Sequence, residues 1–64
     1  MSQTDAILRH LRSGRPLTAL EALRRFDVLR LGARVLELRQ RGHDIITRMR
    51  TVRSGKRVAE YRLA

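Results

Sequence analysis

Residues 17–42 of the 64-residue chain read LTALEALRRFDVLRLGARVLELRQRG, and most of the evidence for the fold lies in this segment. It opens with Thr18 and places Glu21 three positions later, which is the capping-box spacing of a helix N-terminus. Apolar residues then recur at helical spacing: Leu20, Leu23 and Phe26. The pattern predicts a short helix over residues 19–26. Asp27 interrupts it, either as a turn residue or as the cap of the next helix.

The second half of this stretch predicts the longest helix, over residues 28–41. At about 100° per residue, three apolar positions fall within a narrow arc: Leu31, Val35 and Leu38. Gly42 suits a left-handed helix terminus, so the helix ends there. The opposite face holds Leu29, Ala33, Leu36 and Gln40. It is flanked by Arg30, Arg34, Glu37 and Arg41.

A first helix is predicted upstream, over residues 4–12. Three apolar residues share one of its faces: Ile7, Leu8 and Leu11. We assign Thr4 as its N-cap, with Asp5 in the first turn complementing the helix dipole. Gly14 permits a left-handed C-terminal cap, and Pro16 prevents the helix from continuing.

The apolar pattern changes from helical to alternating after Asp44. Residues 45–51 and 57–63 both alternate, and the Ser-Gly pair between them marks a turn. We therefore predict a β-hairpin of these two segments. Because an isolated hairpin is only marginally stable in water, it must pack on the helices. The expected contacts are Ile45, Tyr61 and Leu63.

Three helices, two of them joined by a tight turn, followed by a hairpin are typical of a winged helix-turn-helix. The predicted fold is thus mainly α with a C-terminal β-hairpin, the wing. Sixty-four residues allow one domain, covering residues 1–64. The chain has no cysteine, so disulfides are excluded and packed aliphatic side chains must stabilise the fold.

Three motifs resemble a known family. They are LTALEAL at residues 17–23, RLGARVxxLRxxGHxI at residues 30–45 and GKRxAxYxL at residues 55–63. Together they resemble the small helix-turn-helix domain proteins common in phages and prophages. The resemblance covers almost the whole chain and implies a DNA-binding module. Phage regulators and excisionases are both small winged helices of similar build, so the resemblance does not distinguish between these two functions. It also implies no particular target sequence.

The charge distribution agrees with a nucleic-acid partner. The net charge is +9, and residues 24–64 carry +8 of it. The excess lies on the helix of residues 28–41 and on the wing, as expected of an electrostatic footprint. Fourteen of the fifteen basic residues are arginine, whose fork fits phosphate and guanine edges. A GC-rich coding sequence favours arginine codons as well.

The predicted DNA contacts divide into base contacts and phosphate contacts. Arg30 and Arg34 suit bidentate bonds to guanine, and Ala33 suits the thymine methyl. For Arg34, a phosphate contact or an ion pair with Glu37 is equally consistent with the sequence. The predicted phosphate contacts are Thr18, Arg41, Arg53, Lys56 and Arg57. A structural role is the alternative for each: a helix cap at Thr18, a chain anchor at Arg41, and a solvated turn at the hairpin tip. Arg39 is likewise expected either to anchor the chain or to reach a backbone phosphate.

Other functions are weaker predictions. The first alternative is a protein-interaction module, a small inhibitor or adaptor that binds an acidic protein surface. RNA binding is disfavoured because the two aromatics, Phe26 and Tyr61, are expected in the core. Two histidines without cysteine do not make a convincing zinc site, and no nucleophile motif is present, so we expect neither an enzyme nor a cofactor.

The sequence also supports expectations about small-molecule ligands, cellular location and oligomeric state. No small-molecule ligand is expected, because so short a chain can hardly spare a cavity of ~300 Å³. No apolar run approaches the ~20 residues of a membrane span, and no signal peptide is evident. We therefore expect the protein to be located in the cytoplasm or nucleoid of the bacterial host. Apolar residues on predicted exposed faces suit a homodimer or a cooperative oligomer on DNA: Leu29, Leu36 and Val58.

Overall fold

The computed structural model describes residues 2–64 and contains three helices and three strands in that range. In chain order they are α1 (Gln3–Arg12), β1 (Leu17–Thr18), α2 (Ala19–Phe26), α3 (Leu31–Gln40), β2 (Ile45–Thr51) and β3 (Arg57–Leu63). The predicted spans of α2 and of both hairpin strands agree with the structure residue for residue. The winged helix-turn-helix order is confirmed.

The α2 helix begins at the capping box. Thr18 Oγ1 accepts the Glu21 N–H at 3.3 Å, and the Thr18 hydroxyl also lies 3.2 Å from the Glu21 carboxylate. The helix ends at Asp27, which adopts a left-handed conformation with φ of 57°. Asp27 is therefore the turn residue of the two alternatives. The buried residue of α2 is Ala22, whereas Leu20 and Leu23 are exposed.

The α3 helix begins at Leu31, three residues later than predicted. The left-handed Asp27 turns the chain away, and the Val28 N–H bonds back to the Ala22 carbonyl at 3.2 Å to close α2. Residues 28–30 are consequently used as a connection, with Val28 buried in it. The predicted buried arc is confirmed: Leu31, Val35 and Leu38.

The predicted end of α3 at glycine is also confirmed. Gly42 has φ of +98°, a left-handed conformation that favours glycine. Its N–H bonds to the Arg39 carbonyl, and the His43 N–H bonds to the Leu38 carbonyl, both at 3.0 Å. This pair of bonds is the Schellman motif, which satisfies carbonyls that the helix end would otherwise leave unpaired.

The α1 helix is capped by Ser2, and the prediction that Thr4 is its N-cap is wrong. Ser2 Oγ accepts the Asp5 N–H at 3.1 Å. Thr4 lies one turn before Ile7 on the buried face and is only 3% exposed. Its hydroxyl donates instead to Glu37 on α3, at 2.9 Å. Both residues suit an N-cap by type, and the tertiary contact decides between them.

The sheet contains one more strand than the sequence predicts. The hairpin pairs from Ile45 with Leu63 to Thr51 with Arg57, and β1 adds to the far side of β3, pairing Leu17 with Tyr61. The strand order is β1-β3-β2. A two-residue strand shows no alternation, so the sequence carries no signal for β1.

The core lies between the three helices and one end of the sheet. Its fully buried large side chains are Ile7, Leu11, Leu17, Val35 and Leu38. Ile45 is buried at the start of β2, and Tyr61 and Leu63 pack against the cluster, as predicted. The other six residues of β2 are exposed. The distal part of the hairpin therefore extends beyond the core.

Candidate nucleic-acid interface

An open cleft of about 680 Å³ lies between the start of α2, the start of α3 and the hairpin. It is lined by Thr18, Ala19, Leu20, Glu21, Leu29, Arg30, Leu31, Gly32, Ala33, Arg50, Val52, Val58, Ala59 and Tyr61. The expectation that so short a chain would lack a cavity of this size is wrong. The cleft is formed at the surface, where separate elements meet, and takes no volume from the core.

Three of the predicted contact residues line this cleft together. Thr18 is the N-cap of α2, Arg30 immediately precedes α3, and Ala33 lies in its first turn. The capping box and the turn at Asp27 determine where these residues lie. Thr18 and Ala33, fifteen positions apart in the sequence, therefore lie on one surface together with residues of β3.

Arg30 is exposed but does not lie on the helix as predicted. It is the N-cap of α3, with φ of −123° and ψ of 70°, and makes no side-chain capping bond. Helix formation starts late because residues 28–30 complete the turn. Arg30 lines the edge between the cleft and a smaller groove that also contains Gln3 and Arg34.

Arg34 is paired within the protein. Its Nη1 lies 2.7 Å from Glu37 Oε1, one turn along α3, and its side chain is about one-third exposed. Of the roles considered for Arg34, the ion pair is the one that the structure contains. Arg34 lies outside the cleft, on the flank of α3 that faces α1.

Arg41 lies on the same flank, at the end of α3. It is the C-cap residue, and its Nη1 is 3.7 Å from Asp5 Oδ1 on α1. More than half of each side chain is exposed, so this pair is screened by water and contributes little to stability. Arg41 therefore stays available to an external anion.

A family model described as a winged helix-turn-helix domain matches residues 2–64. The chain belongs to the winged helix-turn-helix family. No curated protein and no solved structure matches the chain. Domains of this kind bind double-stranded DNA, with the second helix of the helix-turn-helix in the major groove. In this winged helix-turn-helix domain α3 occupies the position of the recognition helix, by which name it is called below, and β2 and β3 form the wing.

The tip of the wing carries three exposed cations. Arg53, Lys56 and Arg57 are exposed, and within residues 2–64 none of them forms an ion pair. The loop that holds them is closed by the Val52 N–H on the Lys56 carbonyl at 2.9 Å. By contrast, Arg50 on β2 pairs with Glu60 at 3.0 Å.

Arg39 joins the recognition helix to the wing. Its Nε and Nη2 donate to the Ile45 carbonyl at 3.0 and 2.7 Å, and Nη2 also donates to Thr47 Oγ1 at 2.9 Å. Of the two roles considered for Arg39, anchoring the chain is the one that the structure contains. Because Ile45 and Thr47 begin β2, this contact helps set the angle of the wing.

The sequence places Leu29 and Val58 on exposed faces, but it does not predict that Leu20 is exposed with them at the cleft. Leu20 is 55% exposed and Leu29 is 82% exposed, and both line it. A signal for Leu20 was present, because Ala22 and Phe26 form a competing helical stripe that leaves Leu20 on another face.

The residues that the structure describes, 2–64, contain neither a metal-binding cluster nor a membrane-spanning helix. No group of three His, Cys, Asp or Glu side chains there could hold a metal ion. None of the helices formed by residues 2–64 is both long enough and apolar enough to cross a membrane.

Proposed function

We propose that this protein is a sequence-specific double-stranded DNA-binding protein, a phage- or prophage-type transcriptional regulator or excisionase-like factor acting in the host cytoplasm. The observation that supports this most is the convergence of three elements on one surface. Thr18, Arg30 and Ala33 line the same cleft as Val58 of the wing. This arrangement would let one duplex contact the recognition helix and the wing together.

Affinity would come mainly from phosphate contacts at the edges of this surface. Arg53, Lys56 and Arg57 are exposed, and none has an ion-pair partner among residues 2–64. Thr18 and Arg41 are further candidates. Each phosphate neutralised changes the slope of log K against log salt by about −0.9. Five to seven contacts would therefore give a slope of roughly −5 to −6.

The first base contacts would come from residues at the start of the recognition helix. Arg30 and Ala33 lie at the cleft, and Ala33 suits a thymine methyl group. Arg34 would reach a base only by giving up its pair with Glu37. We therefore assign Arg34 a conditional role, in which a suitably placed guanine or phosphate competes with the Glu37 carboxylate.

The test is selection from a random duplex library at ~150 mM salt, a concentration at which non-specific binding is weak. We expect one enriched motif, and Arg30→Ala should relax its preference at one position. Arg9→Ala is the matched control, because Arg9 lines a different groove, with Ala6 and Phe26. The proposal would be overturned if no DNA motif were enriched and if the amount of DNA retained by the protein did not depend on salt concentration.

A protein-interaction module is the second candidate, and the exposed leucines favour it. Leu20 and Leu29 at the cleft, and Leu36 nearby on α3, form an apolar surface with basic residues at its edge. An acidic protein surface with apolar side chains would fit it. Binding to a protein that survives high salt, without any retardation of duplex DNA, would select this candidate.

Self-association on DNA is a further proposal. A single small module buries only ~600–1,000 Å² of protein surface on DNA, so a second copy would raise affinity and specificity. Leu29 and Leu36 are exposed and Val58 is half-buried, so these three residues could provide the contact. Sedimentation that shows a strict monomer, both with and without DNA, would exclude self-association.

A further inference from the structure

The centre of the exposed side of the recognition helix is uncharged, and Glu37 beside it is bonded to Thr4 and Arg34. We define the recognition face as Gly32, Ala33, Leu36 and Gln40. Gly32, Leu36 and Gln40 are exposed, Leu36 to 55%, and Ala33 is half-buried. At 100° per residue Ala33, Leu36 and Gln40 lie opposite the buried arc of Leu31, Val35 and Leu38, and Gly32 lies about 90° from the centre of that arc, at the edge of the face. The side of α3 available to a groove is therefore apolar, with one amide.

Both arginines within α3 are held away from this face. Arg34 is paired with Glu37 on the flank towards α1, and Arg39 is bonded to the Ile45 carbonyl on the flank towards β2. A guanidinium is the usual reader of guanine O6 and N7. With both guanidinium groups engaged, no guanidinium within α3 is free to bind guanine, and Arg30, which is exposed, lies just before the helix.

We propose that the recognition face reads thymine methyl groups and adenine, so that the base pairs beneath α3 are A·T pairs. This rests on the proposed function. The thymine C5-methyl is the one apolar group that the major groove presents, and it suits Ala33 and Leu36. The Gln40 amide matches adenine, because its NH2 group can donate to N7 while its carbonyl oxygen accepts from the N6 amino group.

Gly32 supports close approach of the helix to the bases. A Cβ placed there meets no atom within 4 Å, and its φ is not left-handed, so neither packing nor backbone conformation requires glycine. Without a Cβ, the backbone can lie against the base edges. From Gly32 to Gln40 the helix rises about 12 Å, which matches three to four base steps of 3.4 Å.

The test replaces each thymine of the selected site, one at a time, with deoxyuridine, which lacks only the methyl group. We expect about fourfold weaker binding at one or two positions, the effect of one buried methyl group. Leu36→Ala should remove this discrimination at one of those positions and leave the others unchanged. Leu23→Ala is the matched control, because Leu23 is partly exposed on α2 and does not line the cleft.

The possible outcomes separate this inference from the proposed function. Tight duplex binding with equal affinity for thymine and uridine at every position would overturn the inference and leave DNA binding intact. A selected motif without A·T pairs at its centre would do the same. Absence of duplex binding would overturn both. The uridine scan of the unaltered protein decides the question even if Leu36→Ala fails to fold.

Discussion

Thr4 and Glu37 join the first helix to the recognition helix through a buried hydroxyl group. Thr4 Oγ1 donates to Glu37 Oε2 at 2.9 Å, and Glu37 Oε1 holds the Arg34 guanidinium at 2.7 Å. A single carboxylate therefore fixes α1 against α3 and keeps Arg34 on the flank of the helix. This relationship links the stability of the domain to the charge that α3 presents.

Thr4→Val is expected to lower the free energy of unfolding by about 1 kcal/mol. The substitution keeps the volume but removes the donor to a carboxylate that is itself partly hydrated, so the net effect is that of one hydrogen bond. Urea denaturation measures it. Thr4→Ser keeps the hydroxyl and serves as the control. Equal stability of the Val variant and the unaltered protein would show that the bond contributes nothing.

Glu37→Gln should strengthen DNA binding several-fold. The amide oxygen still accepts from Thr4, but the ion pair with Arg34 is lost and one negative charge leaves the recognition helix. If the released Arg34 meets a phosphate, the salt slope should steepen by about 0.9. Titration of a labelled duplex at several salt concentrations measures both quantities.

The control for Glu37→Gln is the double variant with Arg34→Ala. Removing the released guanidinium should return the slope to that of the unaltered protein. An unchanged slope in the single variant would argue against any contact between Arg34 and phosphate.

Gly32→Ala should act in opposite directions on folding and on binding. The free energy of unfolding should rise by about 0.4–1 kcal/mol, because alanine fits the site and restricts the unfolded chain. DNA affinity should fall, since the new methyl group holds the helix away from the groove. Thermal unfolding and duplex titration measure the two effects.

Gly14→Ala is the contrasting control for Gly32→Ala. Gly14 has φ of +86°, so alanine there is strained and should destabilise the domain without a specific effect on the DNA surface. A Gly32→Ala variant that binds DNA as well as the unaltered protein would remove the argument for close approach.

Single alanine substitutions at Arg53, Lys56 and Arg57 should each reduce the magnitude of the salt slope by about 0.9. Because these cations are at the wing tip and would meet phosphates, affinity should fall by the same factor for all duplex sequences. Fluorescence titrations with the selected site and with a scrambled duplex measure this. A loss confined to the selected site would show that the tip reads bases.

Helix and strand boundaries are predicted correctly from the sequence where neighbouring residues alone determine them. The capping box at Thr18 and the alternation in the hairpin gave correct boundaries, because neighbouring residues determine them. Thr4 was assigned wrongly because its partner, Glu37, lies 33 residues away. The start of α3 was placed early because apolar periodicity cannot detect the left-handed turn at Asp27.

The same distinction applies to the candidate site. Exposed arginines in a basic segment are identifiable from composition, so the wing-tip residues could be predicted as charged surface. The intramolecular partners of Arg34 and Arg39 depend on side-chain geometry, and a sequence offers alternatives without deciding between them. The cleft itself requires three separate elements to meet, which no single stretch of sequence encodes.

Arg39→Lys should weaken DNA binding even though it preserves the charge. Arg39 donates to the Ile45 carbonyl and to Thr47 Oγ1 through a planar fork, which a lysine ammonium group cannot reproduce. The wing should then vary in its angle to α3, lowering affinity with an unchanged salt slope. If Arg39 instead met a phosphate, Arg39→Lys would retain most of the affinity and Arg39→Ala would reduce the slope.

Thr47→Val tests the same contact from the other partner. It removes one acceptor of the Arg39 fork without altering any charge, so it should reproduce part of the affinity loss of Arg39→Lys. Combining the two substitutions should cost less than the sum of their separate effects, because both act on one contact. If the losses of binding free energy were fully additive, Arg39 and Thr47 would affect DNA binding independently. The prediction that Arg39 positions the wing would then be wrong.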